Sequence, residues 1–296
     1  MKFGFSSYSF HQRLSTGRMS IHDVIDWVAD SEGEHLEFAA LSDASDNPVP
    51  CIGWEPAEIT KVRDHAADSD VALSSLCVAA EFFRADAPVA VQPEIERIKS
   101  YVDLAAALGI SKLRHDVSMR LVPGDDTQTF EHALDAIVPP TKEIARYAAE
   151  HGLTTSIENH GFFVQSSDRV RRIVHAVDEP NFKTTLDIGN FVCVDEDPTT
   201  AVPSNLPYAS IVHVKDFYIR PADQDPGEGW FRSRGGKFLR GAIVGNGDLD
   251  IRTVASAIKA SGYDGYASIE FEGHEDCLIG CRLGIANARR IYDEAA

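Results

Sequence analysis

Four consecutive apolar runs end on residues for which a buried strand has no structural use. Glu158 closes Thr154-Thr155-Ser156-Ile157 and leads into Asn159 and His160, and Asp187 closes Thr184-Thr185-Leu186. His213 lies within Ile211-Val212-His213-Val214-Lys215, and Glu270 follows Ser268-Ile269. Burying an unpaired charge costs several kcal/mol or forces protonation, so each acid needs a partner. Either each pairs with a neighbouring Arg or Lys, or the four side chains converge on one rim. Three carboxylates gathered in a small volume cannot all stay ionised without a counter-charge, which a divalent cation supplies. One imidazole among carboxylate oxygens favours Mn²⁺, with Mg²⁺ or Co²⁺ as alternatives, over a thiolate-rich zinc site.

The elements that must position these residues alternate regularly. Eight short aliphatic or β-branched runs, at residues 3–7, 36–39, 73–78, 113–116, 155–158, 184–187, 211–215 and 267–270, read as strands. Helical patterns separate them. Ile21, Val24, Ile25 and Val28 follow Ser20, a natural N-cap, and Ile95, Ile98, Val102 and Ala105 run up to Gly109. Ile144, Ala145 and Ala148 precede Gly152, with Pro139-Pro140 expected to kink or split that helix. Ile251, Val254 and Ile258 form a further stripe, and Ile285, Ala288 and Ile291 the last. With no linker between halves, the pattern predicts a single α/β domain over residues 1–296, a (β/α)8 TIM barrel rather than an open doubly wound sheet. Two polar stretches, 41–55 and 217–247, each follow a strand and so should lie over the catalytic face.

Composition narrows the function classes. The 296 residues carry 28 Lys plus Arg against 46 Asp plus Glu, a formal charge of -18 that repels polyanions and argues against nucleic-acid binding. No apolar run approaches the roughly eighteen residues of a membrane helix, and the N-terminus lacks a signal-peptide core, so a cytoplasmic protein is expected. Cys51, Cys77, Cys193, Cys277 and Cys281 are odd in number and lack a C-x-x-C pair, which predicts reduced thiols.

The segments S-I-E-N-H-G, T-L-D-I-G-N, H-V-K-D and G-Y-D-G-Y-A-S-I-E-F-E-G, in this order and at these strand positions, resemble the sugar isomerase/epimerase superfamily with its xylose isomerase-like TIM barrel. Gly245-Asn246-Gly247-Asp248 is similar to a turn of the same family. The resemblance covers essentially the whole chain. It implies Glu158, Asp187, His213 and Glu270 as ligands of one divalent metal, with Glu158 and Glu270 also serving as an acid/base pair. The implied activity is isomerisation or epimerisation of a keto-sugar or related polyol by proton transfer through a metal-held enediolate. Such chemistry needs a base on carbon, an acid for oxygen, and positive charge where the enediolate develops. One position departs from the pattern. Ketose epimerases of the superfamily commonly place a substrate-contacting histidine where this chain has Asn190. The Glu-Asn-His-Gly form is similar to catalytic subunits that cleave 3-keto-C-glycosides by metal-assisted β-elimination, which work with a small partner subunit. A homo-oligomer is the other assembly considered.

Further candidates surround this set. His160, two residues beyond Glu158, is a candidate extra base, and Lys215 a candidate oxyanion holder on the same strand side as His213. Glu37 and His115 finish strands and can bond sugar hydroxyls. Arg240, with Arg232 and Arg234, can clamp a phosphate or carboxylate, and Trp54 and Trp230 can cover a sugar face or simply pack their loops. An abasic-site endonuclease on the same barrel would need more histidine ligands and a basic groove, which the sequence lacks. A non-catalytic sugar-binding barrel is the remaining class.

Overall fold

The computed structural model describes residues 1–40, 53–118 and 127–296. Eight parallel strands close a barrel: β1 (Lys2–Ser6), β2 (His35–Ala40), β3 (Ala72–Val78), β4 (Lys112–His115), β5 (Thr154–Glu158), β6 (Phe182–Asp187), β7 (Ala209–Val214) and β11 (Tyr266–Ile269). β1 seals it by pairing with β2 on one side and β11 on the other, Phe5 standing opposite both Leu36 and Ile269. A side chain at Gly4 would be intolerable here, since a Cβ would stand 2.1 Å from the His35 carbonyl oxygen.

Helices wrap the barrel as the apolar spacing requires. In α2 (Ile21–Ala29) the four predicted apolar positions are all buried, and Ser20 and Asp23 form a reciprocal capping box at its start. After α1 (His11–Ser15) and α2 come α3 (Pro56–Asp68), α4 (Val91–Ala107), α5 (Thr127–Glu150), α6 (Ser167–Val177), α7 (Pro198–Asn205), α8 (Ile251–Ala260) and α9 (Cys277–Glu294). Helix α5 runs through Pro139 and Pro140 without splitting. Immediately after them the Thr141 hydroxyl donates to the Ile137 carbonyl at 2.7 Å, adding a side-chain bond where the ladder is weakened.

The stretch 217–247 is not a plain loop. It folds into a three-stranded antiparallel sheet, β8 (Asp216–Arg220), β9 (Phe231–Arg232) and β10 (Phe238–Ala242), with β10 in the middle. The Gly245-Asn246-Gly247 turn anchors it. Amides of Gly245 and Gly247 each donate to Asp216 Oδ2 at 2.9 Å, and a Cβ on Gly247 would stand 2.2 Å from Asp216 Oδ1. Most of the other stretch, residues 41–52 with Cys51, lies outside the described residues. Trp54 beyond it packs on Tyr101 of α4, ring centroids 4.8 Å apart. Cys77, Cys193, Cys277 and Cys281 are free thiols, and no helix among the described residues is long and apolar enough to cross a membrane.

Candidate functional site

Side chains alternate between the two faces of a strand, so the register that turns Glu158 inward on β5 also turns in its neighbours' partners across the barrel. Glu158, Asp187, His213 and Glu270 meet there, each offering a ligand atom within 4.8 Å of the others, and all four are buried. His213 Nδ1 lies 3.8 Å from Glu158 Oε1, 3.9 Å from Asp187 Oδ2 and 3.7 Å from Glu270 Oε2. Neither His213 Nδ1 nor Asp187 Oδ2 has a hydrogen-bond partner. These orphaned buried atoms, in a set of three carboxylates and one imidazole, fit a divalent ion.

Two lysine- and arginine-centred contacts surround the set. Lys215 Nζ stands 2.7 Å from Glu270 Oε2, 3.4 Å from Asp187 Oδ2 and 3.3 Å from Glu272 Oε1, and donates to Asn190 Oδ1 at 3.3 Å. Burial alone would raise the Glu270 pKa, but Lys215 and His213 outweigh it and hold the carboxyl well below its ordinary value. Asp187 goes the other way. Burial lifts it to about 6 against the opposing pull of Lys215. Asn190 bridges the two charges, its amide nitrogen donating to Glu158 Oε1 at 2.9 Å.

Arg114 on β4 was not among the expected residues. Its Nη2 stands 2.8 Å from Asp116 Oδ1 and 2.9 Å from Glu158 Oε2, with all three side chains under 5% exposed. Asp116 Oδ1 in turn lies 3.4 Å from His160 Nδ1, whose ring keeps about 35% of its side chain exposed. Burial would lower the His160 pKa, and the Asp116 carboxylate reverses that and raises it. Asn159 fixes the neighbouring strand end: its side-chain oxygen accepts from the Asp187 amide at 2.9 Å while its nitrogen donates to the Asp187 carbonyl at 2.8 Å. Tyr8 completes this wall, its hydroxyl pKa pushed up to about 12 by burial and by Glu272 and Glu270.

The pattern of the xylose isomerase-like TIM barrel family matches residues 26–296. The chain belongs to that family. An inosose dehydratase of Geobacillus thermodenitrificans is 24% identical over 143 residues, 48% of each chain. The chain thus matches about half the length of such curated relatives. Among solved structures, an IOLI protein with a bound zinc atom aligns over 100% of this chain and 99% of its own, with a TM-score of 0.76 and 14% identity. An L-ribulose 3-epimerase aligns over 99% and 94% with a TM-score of 0.72, also at 14% identity. At these identities the structural likeness establishes the fold.

Three further expected site residues of this xylose isomerase-like barrel lie outside the four-residue cluster. His115 occupies the opposite face of β4 from Arg114, fully buried near the rings of Phe82 and Phe182, with Nδ1 2.8 Å from the Asp116 carbonyl. It cannot reach a sugar in the barrel mouth, because a one-residue step along a strand changes face. Glu37 does point inward, yet it is fully buried and contacts His213 Nε2 at 2.7 Å instead of facing the mouth. Arg240 stands apart from the acidic cluster. Its guanidinium is held between Tyr218 and Trp230, 4.9 and 5.0 Å from their centroids, on the wall of a cleft of about 330 Å³ shared with Tyr8 and Glu272.

Proposed function

We propose that this chain is a divalent-metal-dependent enzyme that removes a proton beside the carbonyl of a keto-sugar or keto-polyol and carries the reaction on to β-elimination. Glu158, Asp187, His213 and Glu270 would hold the ion, for which we propose Mn²⁺, and when bound it supplies Lewis-acid stabilisation of negative charge developing on the substrate oxygen. The observation that carries the reading is the His160–Asp116–Arg114 chain. His160 is a base at the mouth with one nitrogen against Asp116 and no protein partner for the other among the described residues. Asp116 orients the ring and stabilises its protonated form, as a carboxylate does for a general-base histidine.

Glu158 is poorly placed for that task. Both its oxygens are engaged, one by Asn190 and the other by Arg114. Glu270 is committed to Lys215. Epimerisation needs two bases on opposite faces of the sugar, whereas elimination needs one base and a separate acid. The Lys215 ammonium and the Asn190 amide line the same wall and can hold substrate oxygens, and Arg240 with its flanking rings can receive the part of the substrate remote from the reacting carbon. The inosose dehydratase relative acts by name in a dehydration, itself an elimination.

The isomerase/epimerase reading stays as the second one, because Glu158 and Glu270 both approach His213 within 3.8 Å and so border one cavity. The experiment that separates them incubates Mn²⁺-loaded protein in heavy water with inososes, free ketoses and 3-keto-glycosides. Loss of water or release of an aglycone supports elimination. Deuterium uptake with an isomeric sugar as the product supports epimerisation instead, and no reaction with any of them refutes both.

A further inference from the structure

Glu37 is the carboxylate that the acidic cluster does not explain. It sits on the inner face of β2, while His213 comes from β7, with β1 and β11 between their strands, so the two meet across the barrel interior. Glu37 is fully buried; one of its oxygens stands 2.7 Å from His213 Nε2 in a close contact that does not meet hydrogen-bond geometry, and neither oxygen nor Nε2 has a hydrogen-bond partner. An ionised carboxylate in such a place needs positive charge or a proton donor. At 2.7 Å stands the far edge of the same imidazole whose near edge faces Glu158, Asp187 and Glu270, with the Cys77 thiol within 4.8 Å as a second neighbour.

We infer that Glu37 is a positioning residue for the metal centre: it keeps the His213 proton on Nε2, so that bare Nδ1 is presented to the ion, and it fixes the angle of the ring. A metal-bound imidazole whose outer N–H faces a carboxylate is a better donor and a better-oriented one. The inference rests on the metal-site reading given above. It also accounts for a carboxylate that the sequence alone placed in contact with substrate. Cys77 is the neighbour that allows another arrangement, since its sulfur, a Glu37 oxygen and a His213 nitrogen all lie within 4.8 Å of one another and could instead bind a second ion.

The test titrates metal-free wild type, Glu37→Gln, Glu37→Ala and Cys77→Ala with Co²⁺, reading stoichiometry, affinity and the visible ligand-field bands, with a thermal melt to establish folding. Expected are one ion per chain in wild type and an affinity about 10- to 100-fold weaker in Glu37→Ala with altered bands. Glu37→Gln, which keeps the shape and an acceptor oxygen but loses the charge, should fall between the two, and it carries the test if Glu37→Ala does not fold. Cys77→Ala should match wild type. Unchanged affinity and bands in the folded Glu37 variants overturn the positioning role alone. Two ions in wild type, one of them lost in Cys77→Ala, also overturn it, in favour of a second site. A wild-type chain that takes up no ion overturns the metal centre, and the role of Glu37 with it.

Discussion

Replacing Arg114 by leucine removes the cation shared by Asp116 and Glu158. Both acids are buried and both lie within 3 Å of Nη2, so the substitution leaves two carboxylates without their strongest partner. Breaking a buried pair of this kind costs about 3–5 kcal/mol. An unfolding entropy of about 2.1 cal/mol/K per residue over 296 residues gives about 0.6 kcal/mol per degree, so the metal-free midpoint should fall by about 5–8 °C. Adding Mn²⁺ at about a hundred times its dissociation constant should raise a chain's midpoint by the equivalent of about 2.7 kcal/mol. That ion neutralises Glu158 but not Asp116, so a gap between variant and wild type should persist. Leucine at both 114 and 116 should recover part of the loss, because Asp116 is then no longer a stranded charge while Glu158 still is. Calorimetric melts of the chelator-treated proteins, with and without added Mn²⁺, measure all of this. A single variant that melts within about 2 °C of wild type, or a double variant as unstable as the sum of both changes, would refute the account of Arg114 as the counter-charge of this wall.

His160→Asn should lower turnover about 10²- to 10⁴-fold while leaving bound metal unchanged, as assayed by product formation beside elemental analysis. Wild-type turnover would remove His160 as the base. His213→Ala should lower bound divalent metal, and undiminished stoichiometry would take it out of the ligand set. His35 and His115 are held neutral by burial, each with its pKa pushed down to about 4. The unfolded chain protonates them near 6.5, so it binds more protons between pH 6.5 and 4, and each ring lowers stability by up to about 3 kcal/mol as pH falls through that window. Denaturant titrations of His115→Leu should therefore close on, or pass, wild type by about that much between pH 7 and 4, and parallel pH curves would count against it.

The barrel and its acidic cluster were legible because strand ends and alternation leave strong marks. Glu158, Asp187, His213 and Glu270 break otherwise apolar runs, and each does meet the others. The same alternation, applied to residues 113–116, would have chosen Arg114 and Asp116 over His115, since the residue that turns inward on β4 is one step from the one selected. Val170, Ile173, Val174 and Val177 carry the helical spacing of α6, and all are buried, but Arg171, Arg172 and His175 among them obscure the stripe. The small sheet of 216–242 leaves a weak mark in the sequence because Phe217-Tyr218-Ile219 is followed by a run rich in Pro, Asp and Gly before its partner strand appears. Glu37 shows a different limit. That it faces inward follows from the strand, but that its partner comes from β7 is a property of closure, which local sequence does not encode.

That cross-barrel contact bears on the order in which the protein is made. Glu37 and His213 lie 176 positions apart in the chain, and Glu270 comes later still. A ribosome-bound chain has synthesised Glu37 long before either of them, and β1 waits for β11 before the ring can close. Contacts of such sequence separation form late, after the local strand–helix units. An ion held by the proposed ligands would therefore not nucleate folding of the early strands. It would join a chain that is nearly finished, and metal supply should affect how long the completed barrel survives far more than how quickly its first half forms.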